Sequence, residues 1–102
     1  MRILGLDPGI GRLGFAVIEV GGRGSVCLAC GCLETDKILL SGARLLQLRD
    51  AVEDLIARFR PEQAVLETLF FSKNVRTAMA VAEALGMLLT LLADAKVPML
   101  EV

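Results

Sequence analysis

Two acidic side chains close apolar runs in this sequence. Asp7 follows Ile3-Leu4-Gly5-Leu6 and precedes Pro8-Gly9, and Glu67 follows Ala64-Val65-Leu66. Each run reads as a short buried strand, so each carboxylate is expected where a strand stops and a loop begins. One amphipathic helix lies between the runs, which lets the two strands be parallel neighbours joined by a helical crossover. Both carboxylates would then emerge at the same carboxyl edge of one sheet, where open α/β sheets place their ligands. Adjacent strands lie about 4.8 Å apart, close enough for two carboxylates to share a divalent cation. Without a cation they repel, and one tends to keep its proton. A hard metal ion removes that conflict and creates a reactive centre. Taken singly, Asp7 is a turn residue before Pro-Gly and Glu67 a solvated strand end; the pairing favours the metal role for both.

The elements that must position this pair follow in order. Residues 2–6 form a compact strand, residues 8–12 a turn, and residues 14–20 a second strand rich in β-formers. Gly21-Gly22-Arg23-Gly24 is a hairpin turn, and residues 25–34 make a third strand with Cys30, Cys32 and Glu34 on one face. After a loop over 35–42, Leu45, Leu48, Val52, Leu55, Ile56 and Phe59 fall at helical spacing, opposite Arg44, Gln47, Asp50, Glu53, Asp54 and Arg58. Pro61 ends this helix. Residues 63–67 form a fourth strand, and a second helix begins after Ser72, capped by Ser72 or Asn74. Its apolar residues point all round: Met79, Val81, Ala82, Leu85, Met87, Leu88, Leu89, Leu91 and Leu92. One side can pack on the sheet and the other needs a second cover. Ala78, Ala82 and Gly86 recur every fourth residue and would let another backbone approach, so Ala78, Ala82, Leu85, Gly86 and Leu89 are read as a homodimer contact. A further segment of the same chain could serve instead. Residues 97–102 read as a fifth strand, giving the order β-β-β-α-β-α-β. Glu101 ends that strand, where a structural or capping role is favoured over that of a third carboxylate.

Composition narrows the chemistry. A chain of 102 residues is a single domain. Its hydrophobic share of 55% and mean hydropathy of +0.65 are high for that size, so a partner or further chain is expected to cover part of it. There is no His, which excludes His-based catalysis and zinc sites that use it. A net charge of −1 supplies no basic field for nucleic acid and counts against that partner. The first residues do not form the apolar run of a signal peptide, and a cytoplasmic protein is expected. The apolar stretch over 78–93 is shorter than a membrane span and contains Glu83, so no membrane partner is expected. Cys27, Cys30 and Cys32 lack a fourth ligand; they read as small apolar residues on a reduced strand, not as a zinc site.

The run Ile3-Leu4-Gly5-Leu6-Asp7-Pro8-Gly9-Ile10-Gly11-Arg12-Leu13-Gly14 resembles the first strand and turn of the RuvC family of Holliday-junction resolvases, which have a ribonuclease-H-like fold. Glu67-Thr68-Leu69-Phe70-Phe71-Ser72-Lys73-Asn74-Val75 is similar to that family's second acidic motif. Gly31 with Thr35, the Arg44-Leu45 helix start and Pro61 also fit, so the resemblance spans essentially the whole chain. It implies an α/β fold with a mixed five-stranded sheet. Residues 1–102 would be a ribonuclease-H-like resolvase domain cut short after the fifth strand, its C-terminal helices missing. It also implies a Mg²⁺-dependent endonuclease that cuts four-way DNA junctions as a homodimer, with a branch-migration motor complex as a further partner. Asp7 and Glu67 match the family's first two metal-binding acids. Phe70 matches an aromatic that stacks on a base near the junction centre, and the second helix matches the dimer helix. Lys73, Asn74, Arg76 and Arg12 are read as phosphate contacts beside the acids.

Three departures qualify this. The family's remaining catalytic acids lie on a helix beyond the fifth strand. Glu83-Ala84-Leu85-Gly86 stands where the family usually has Gln-Ala-Arg-Gly. Val102 follows Glu101 where an aromatic is usual. Two other functions compete with the endonuclease: a non-catalytic dimeric junction-binding remnant, and a nucleotide-binding domain of the sugar-kinase and chaperone-ATPase type.

Overall fold

The computed structural model describes residues 1–9, 12–36, 41–68 and 75–102. Phe70, Lys73 and Asn74, together with the helix cap assigned to Ser72 or Asn74, lie outside the described residues.

Seven elements follow the expected order: β1 (Arg2–Pro8), β2 (Arg12–Gly21), β3 (Gly24–Glu34), α1 (Ser41–Phe59), β4 (Gln63–Leu66), α2 (Val75–Asp94) and β5 (Met99–Glu101). The five strands form one mixed sheet in the order β3-β2-β1-β4-β5. β1, β2 and β3 are antiparallel, whereas β4 runs parallel to β1 and β5 parallel to β4. The β2–β3 hairpin closes through Gly22-Arg23, with Gly21 opposite Gly24. Gly24 takes φ +120°, a conformation that a side chain would strain.

Strand alternation decides which face is covered. Leu4 and Leu6 of β1, Leu13 and Val17 of β2, and Ala64 and Leu66 of β4 are buried on one side. Against them pack Leu48, Val52 and Leu55 of α1, Leu88, Leu91 and Leu92 of α2, and Val97. Both helices therefore cover the same face. Each buried Leu or Val contributes about 1.5–3 kcal/mol over its exposed state. Gly31 belongs to this packing: a Cβ there would lie 3.2 Å from the Phe15 ring, so the ring occupies the room that the missing side chain leaves. On α1 the outer face carries Arg49 ion-paired to Asp50 and Glu53, and Arg58 to Asp54, all exposed and contributing little to stability.

The all-round apolarity of α2 resolves into two sides. Val81, Ala84, Leu88, Leu91 and Leu92 are buried in the core, while Val75, Met79, Ala82 and Gly86 form an exposed stripe. Of the residues read as a dimer contact, Ala82 and Gly86 lie on that stripe. Ala78 is half-buried, and Leu85 and Leu89 pack against the chain's own core. The helix is 20 residues long, longer than the apolar stretch suggested, and by length and composition it suffices to cross a membrane. Its buried residues are nevertheless spent on the sheet and α1. Apolar surface is left uncovered as expected: Met79 on α2 is 58% exposed, and Leu100 and Val102 on the sheet are each 56% exposed.

Candidate metal-binding active site

Asp7 and Glu67 come together on the uncovered face of the sheet. β1 and β4 pair in parallel with Leu4 opposite Ala64 and Leu6 opposite Leu66. The next residues along are Asp7 and Glu67, and the Glu67 amide donates to the Leu6 carbonyl at 3.0 Å, which carries the alignment past the last ladder pair. Because Leu6 and Leu66 point into the helix-covered core, alternation sends both carboxylates to the opposite, solvent side. Both are exposed.

One expectation changes in detail. Asp7 does not mark the end of its strand, because β1 continues to Pro8, with Asp7 opposite Gly14 and Pro8 opposite Leu13. The ladder fixes the Asp7 backbone on its β2 side as well as through β4, so the carboxylate stands on a held strand instead of a free turn.

The two carboxylates border a depression of about 290 Å³, with Gly5, Gly14, Ala16, Val65 and Val102 also on its lining. Small residues leave this space open. Gly5 lies opposite Ala16 and Gly14 opposite Asp7, so no bulky side chain stands beside the carboxylates on β1 or β2. A Cβ on Gly14 would already be in contact with the Asp7 Cβ at 3.7 Å. Sequence reading missed this floor, and also Val102. Its signal was present as the alternate small residues of β1 and β2, but only the strand register shows that they face one another.

The remaining candidates divide. Arg12 is exposed on the same face as Gly14, at the start of β2, and its carbonyl accepts from the Gly9 amide at 2.9 Å. Arg76 is exposed in the first turn of α2, the helix that follows β4 and its Glu67. Glu101 pairs with Leu66, not with Glu67, which sends its side chain to the helix-covered side and away from the carboxylate pair. Among the described residues no group of three or more His, Cys, Asp or Glu side chains is placed to hold one ion. No Lys or Arg among them forms an ion pair with Asp7 or Glu67.

The donor set fits a hard divalent cation: two adjacent carboxylates, open to water, with no cation among the described residues neutralising them. An ion that keeps several waters and takes one or two carboxylates suits such a shallow, exposed pair.

Residues 3–102 match the family model for the crossover junction endodeoxyribonuclease RuvC. This chain belongs to the RuvC family. RuvC of Treponema denticola is 40% identical over 92 residues, covering 90% of this chain and 52% of the relative. RuvC of Thermotoga petrophila is 43% identical over 101 residues, covering 99% of this chain and 61% of the relative. The structure of Thermus thermophilus RuvC in complex with a Holliday junction substrate superposes with a TM-score of 0.90 at 30% identity, over all of this chain and 65% of that one. The chain thus spans between half and two thirds of the length of these RuvC proteins. The mixed five-stranded, ribonuclease-H-like sheet expected from the sequence is borne out. RuvC membership implies a divalent metal cofactor, in agreement with the chemistry of the Asp7–Glu67 pair.

Proposed function

We propose that this chain carries part of the active site of a Mg²⁺-dependent endonuclease that resolves four-way DNA junctions, with Asp7 and Glu67 as metal ligands. The observation that carries the reading is the placement of these two carboxylates side by side on the open face, without a cationic partner among the described residues, above a floor of Gly5, Gly14 and Ala16. The Thermus RuvC bound to a Holliday junction supplies the substrate class. Mg²⁺, when bound, would supply charge stabilisation at a phosphodiester and a hydroxide-like nucleophile at neutral pH. The chain's own residues do the positioning. Asp7 and Glu67 present carboxylate oxygens from two hydrogen-bonded strands, and the side-chain-free Gly14 leaves room for a phosphate beside them. Arg12 and Arg76, with Lys73 and Asn74, would contact flanking phosphates, and Phe70 would stack on a base.

The test is cleavage of a synthetic four-way junction by the protein as its gene encodes it. Cutting should require added Mg²⁺, and a linear duplex of the same sequences should stay intact. Tight junction binding with no cutting at any Mg²⁺ concentration would replace this reading with the non-catalytic one. That alternative has its own support in the two-carboxylate set found among the described residues.

The exposed stripe of Val75, Met79, Ala82 and Gly86 supports a homodimer formed through α2. Val75 is 71% and Met79 58% exposed, an apolar surface that a second copy would cover. Met79→Lys is expected to shift the protein from dimer to monomer in sedimentation velocity with its circular dichroism unchanged. A variant that sediments like the parent would remove α2 from the interface.

A further inference from the structure

Glu67 is held differently on its two sides. In a parallel ladder a residue both donates to and accepts from the facing strand, through the two residues that flank its partner. The Glu67 amide donates to the Leu6 carbonyl at 3.0 Å. The matching rung would run from the amide of residue 8 to the Glu67 carbonyl, but residue 8 is proline and has no N–H to give. The bonding of β4 to β1 therefore stops at the Glu67 amide, halfway through the residue that carries the carboxylate.

On the other side of β4 the bonding continues past Glu67. The Val102 amide donates to the Leu66 carbonyl at 3.0 Å, and the Thr68 amide donates to the Val102 main-chain oxygen at 2.9 Å, so Val102 brackets Glu67 through both of its neighbours. The Thr68 hydroxyl donates to that same oxygen at 3.2 Å. A main-chain oxygen has two lone pairs and can take both donors. Alternation puts Thr68, half-buried, on the helix-covered side with Leu66, so its side chain stays out of the depression. Val102 follows Glu101, which pairs with Leu66; it stands beside Glu67 on the open face and lines the depression.

We propose that Thr68 is a positioning residue for Glu67. Its hydroxyl, acting through the Val102 oxygen, supplies the hold that Pro8 withholds, and so keeps the Glu67 carboxylate at the spacing from Asp7 that a divalent ion needs. The proposal rests on the reading of Glu67 as a metal ligand. Asp7 has its own support, because it faces Gly14 in a ladder with β2 that runs on to Pro8 and Leu13. Thr68 touches neither ion nor phosphate. Its loss loosens the geometry of the pair without removing a ligand, so the effect is smaller than that of removing the Glu67 charge. One neutral hydrogen bond corresponds to about a three- to tenfold change in an equilibrium constant.

Thr68→Val keeps the shape of the side chain and removes the hydroxyl. Mn²⁺ is the probe, because oxygen sites that take Mg²⁺ also take Mn²⁺, and electron paramagnetic resonance reads its free concentration without any cleavage. In the protein as its gene encodes it, Thr68→Val should raise the Mn²⁺ Kd about three- to tenfold, and Thr68→Ser should restore the parent value. The Mg²⁺ concentration for half-maximal junction cleavage should rise by the same factor, with a smaller change in the rate at saturating Mg²⁺. In the metal-free protein, amide exchange at Thr68 should speed up in Thr68→Val while that at Leu4 stays slow. An unchanged Mn²⁺ Kd for Thr68→Val beside a weakened Glu67→Gln would overturn the positioning role and leave Glu67 a ligand. An unchanged Kd for Glu67→Gln as well would overturn both readings. A loss that Thr68→Ser does not restore would take the hydroxyl out of the account and overturn the proposal too.

Discussion

Glu67→Gln is expected to remove Mg²⁺-dependent junction cleavage and to leave junction binding and folding in place. The amide keeps the size of the side chain and its place after Leu66, so the backbone bond from residue 67 to the Leu6 carbonyl is untouched. What disappears is one of two negative charges facing the ion. Metal-borne charge stabilisation is worth several kcal/mol, and about 4 kcal/mol corresponds to a factor of roughly 10³ in rate. Asp7→Asn should act alike, because the two carboxylates serve one centre, and the double variant should lose little more than either single one. Single-turnover cleavage and gel-shift titration on one junction separate the two effects. Undiminished cutting by Glu67→Gln would take Glu67 out of the metal site. Loss of binding together with cutting would mean that the carboxylate supports the junction surface and not the chemistry.

Much of this arrangement was legible before the structure, and the parts that were not have a common cause. The parallel neighbourhood of β1 and β4 followed from two apolar runs separated by one amphipathic helix, a pattern written locally in Leu45, Leu48, Val52 and Leu55. The length of β1 beyond Leu6 did not follow, since it depends on pairing with Leu13 and Gly14 across a turn whose composition spoke only for a turn. Glu101 shows the same limit. Its face is set by whether it aligns with Leu66 or Glu67, and a slip of one residue reverses the answer. A β-bulge in β3, with Leu28 the extra residue, is a third case: nothing in Cys27-Leu28-Ala29-Cys30 signals an extra residue, because bulges are fixed by two strands and not by one. The thiols read as small apolar residues were consequently placed on the right strand, but their shared exposure was missed. The apolar circumference of α2 divides in the structure into a buried side and an exposed stripe. Leu85 and Leu89 nevertheless went to the chain's own core, because helix position alone does not say where the sheet ends and the exposed stripe begins.

The parity that places Asp7 on the open face is the same parity that buries Leu4, and Leu4→Ala therefore tests the frame of the site through stability. Leu4 is fully buried, opposite Val17 on one side and Ala64 on the other. Ala64 is small and held in β4, so it cannot swing into the space that Leu4 vacates. Collapse around the cavity should be poor, and the loss should fall in the range of about 2–5 kcal/mol seen for such truncations. A domain of this size holds about 5–15 kcal/mol in all. Each kcal/mol is worth about 4–8 °C in Tm, so thermal unfolding should occur at least roughly 10 °C lower. Leu100→Ala supplies the contrast: Leu100 pairs with Val65 on the open face and is 56% exposed, and its truncation should cost no more than about 0.5 kcal/mol. The two variants bracket the sheet from its two sides, and circular-dichroism melts of both against the parent suffice. Equal losses would mean that the open face is covered in the folded protein, and the solvent-facing position of Asp7 and Glu67 would fail with it. A large loss for Leu4→Ala alone fixes which side of the sheet is core, and leaves the carboxylates on the side that a metal ion and a phosphate can reach.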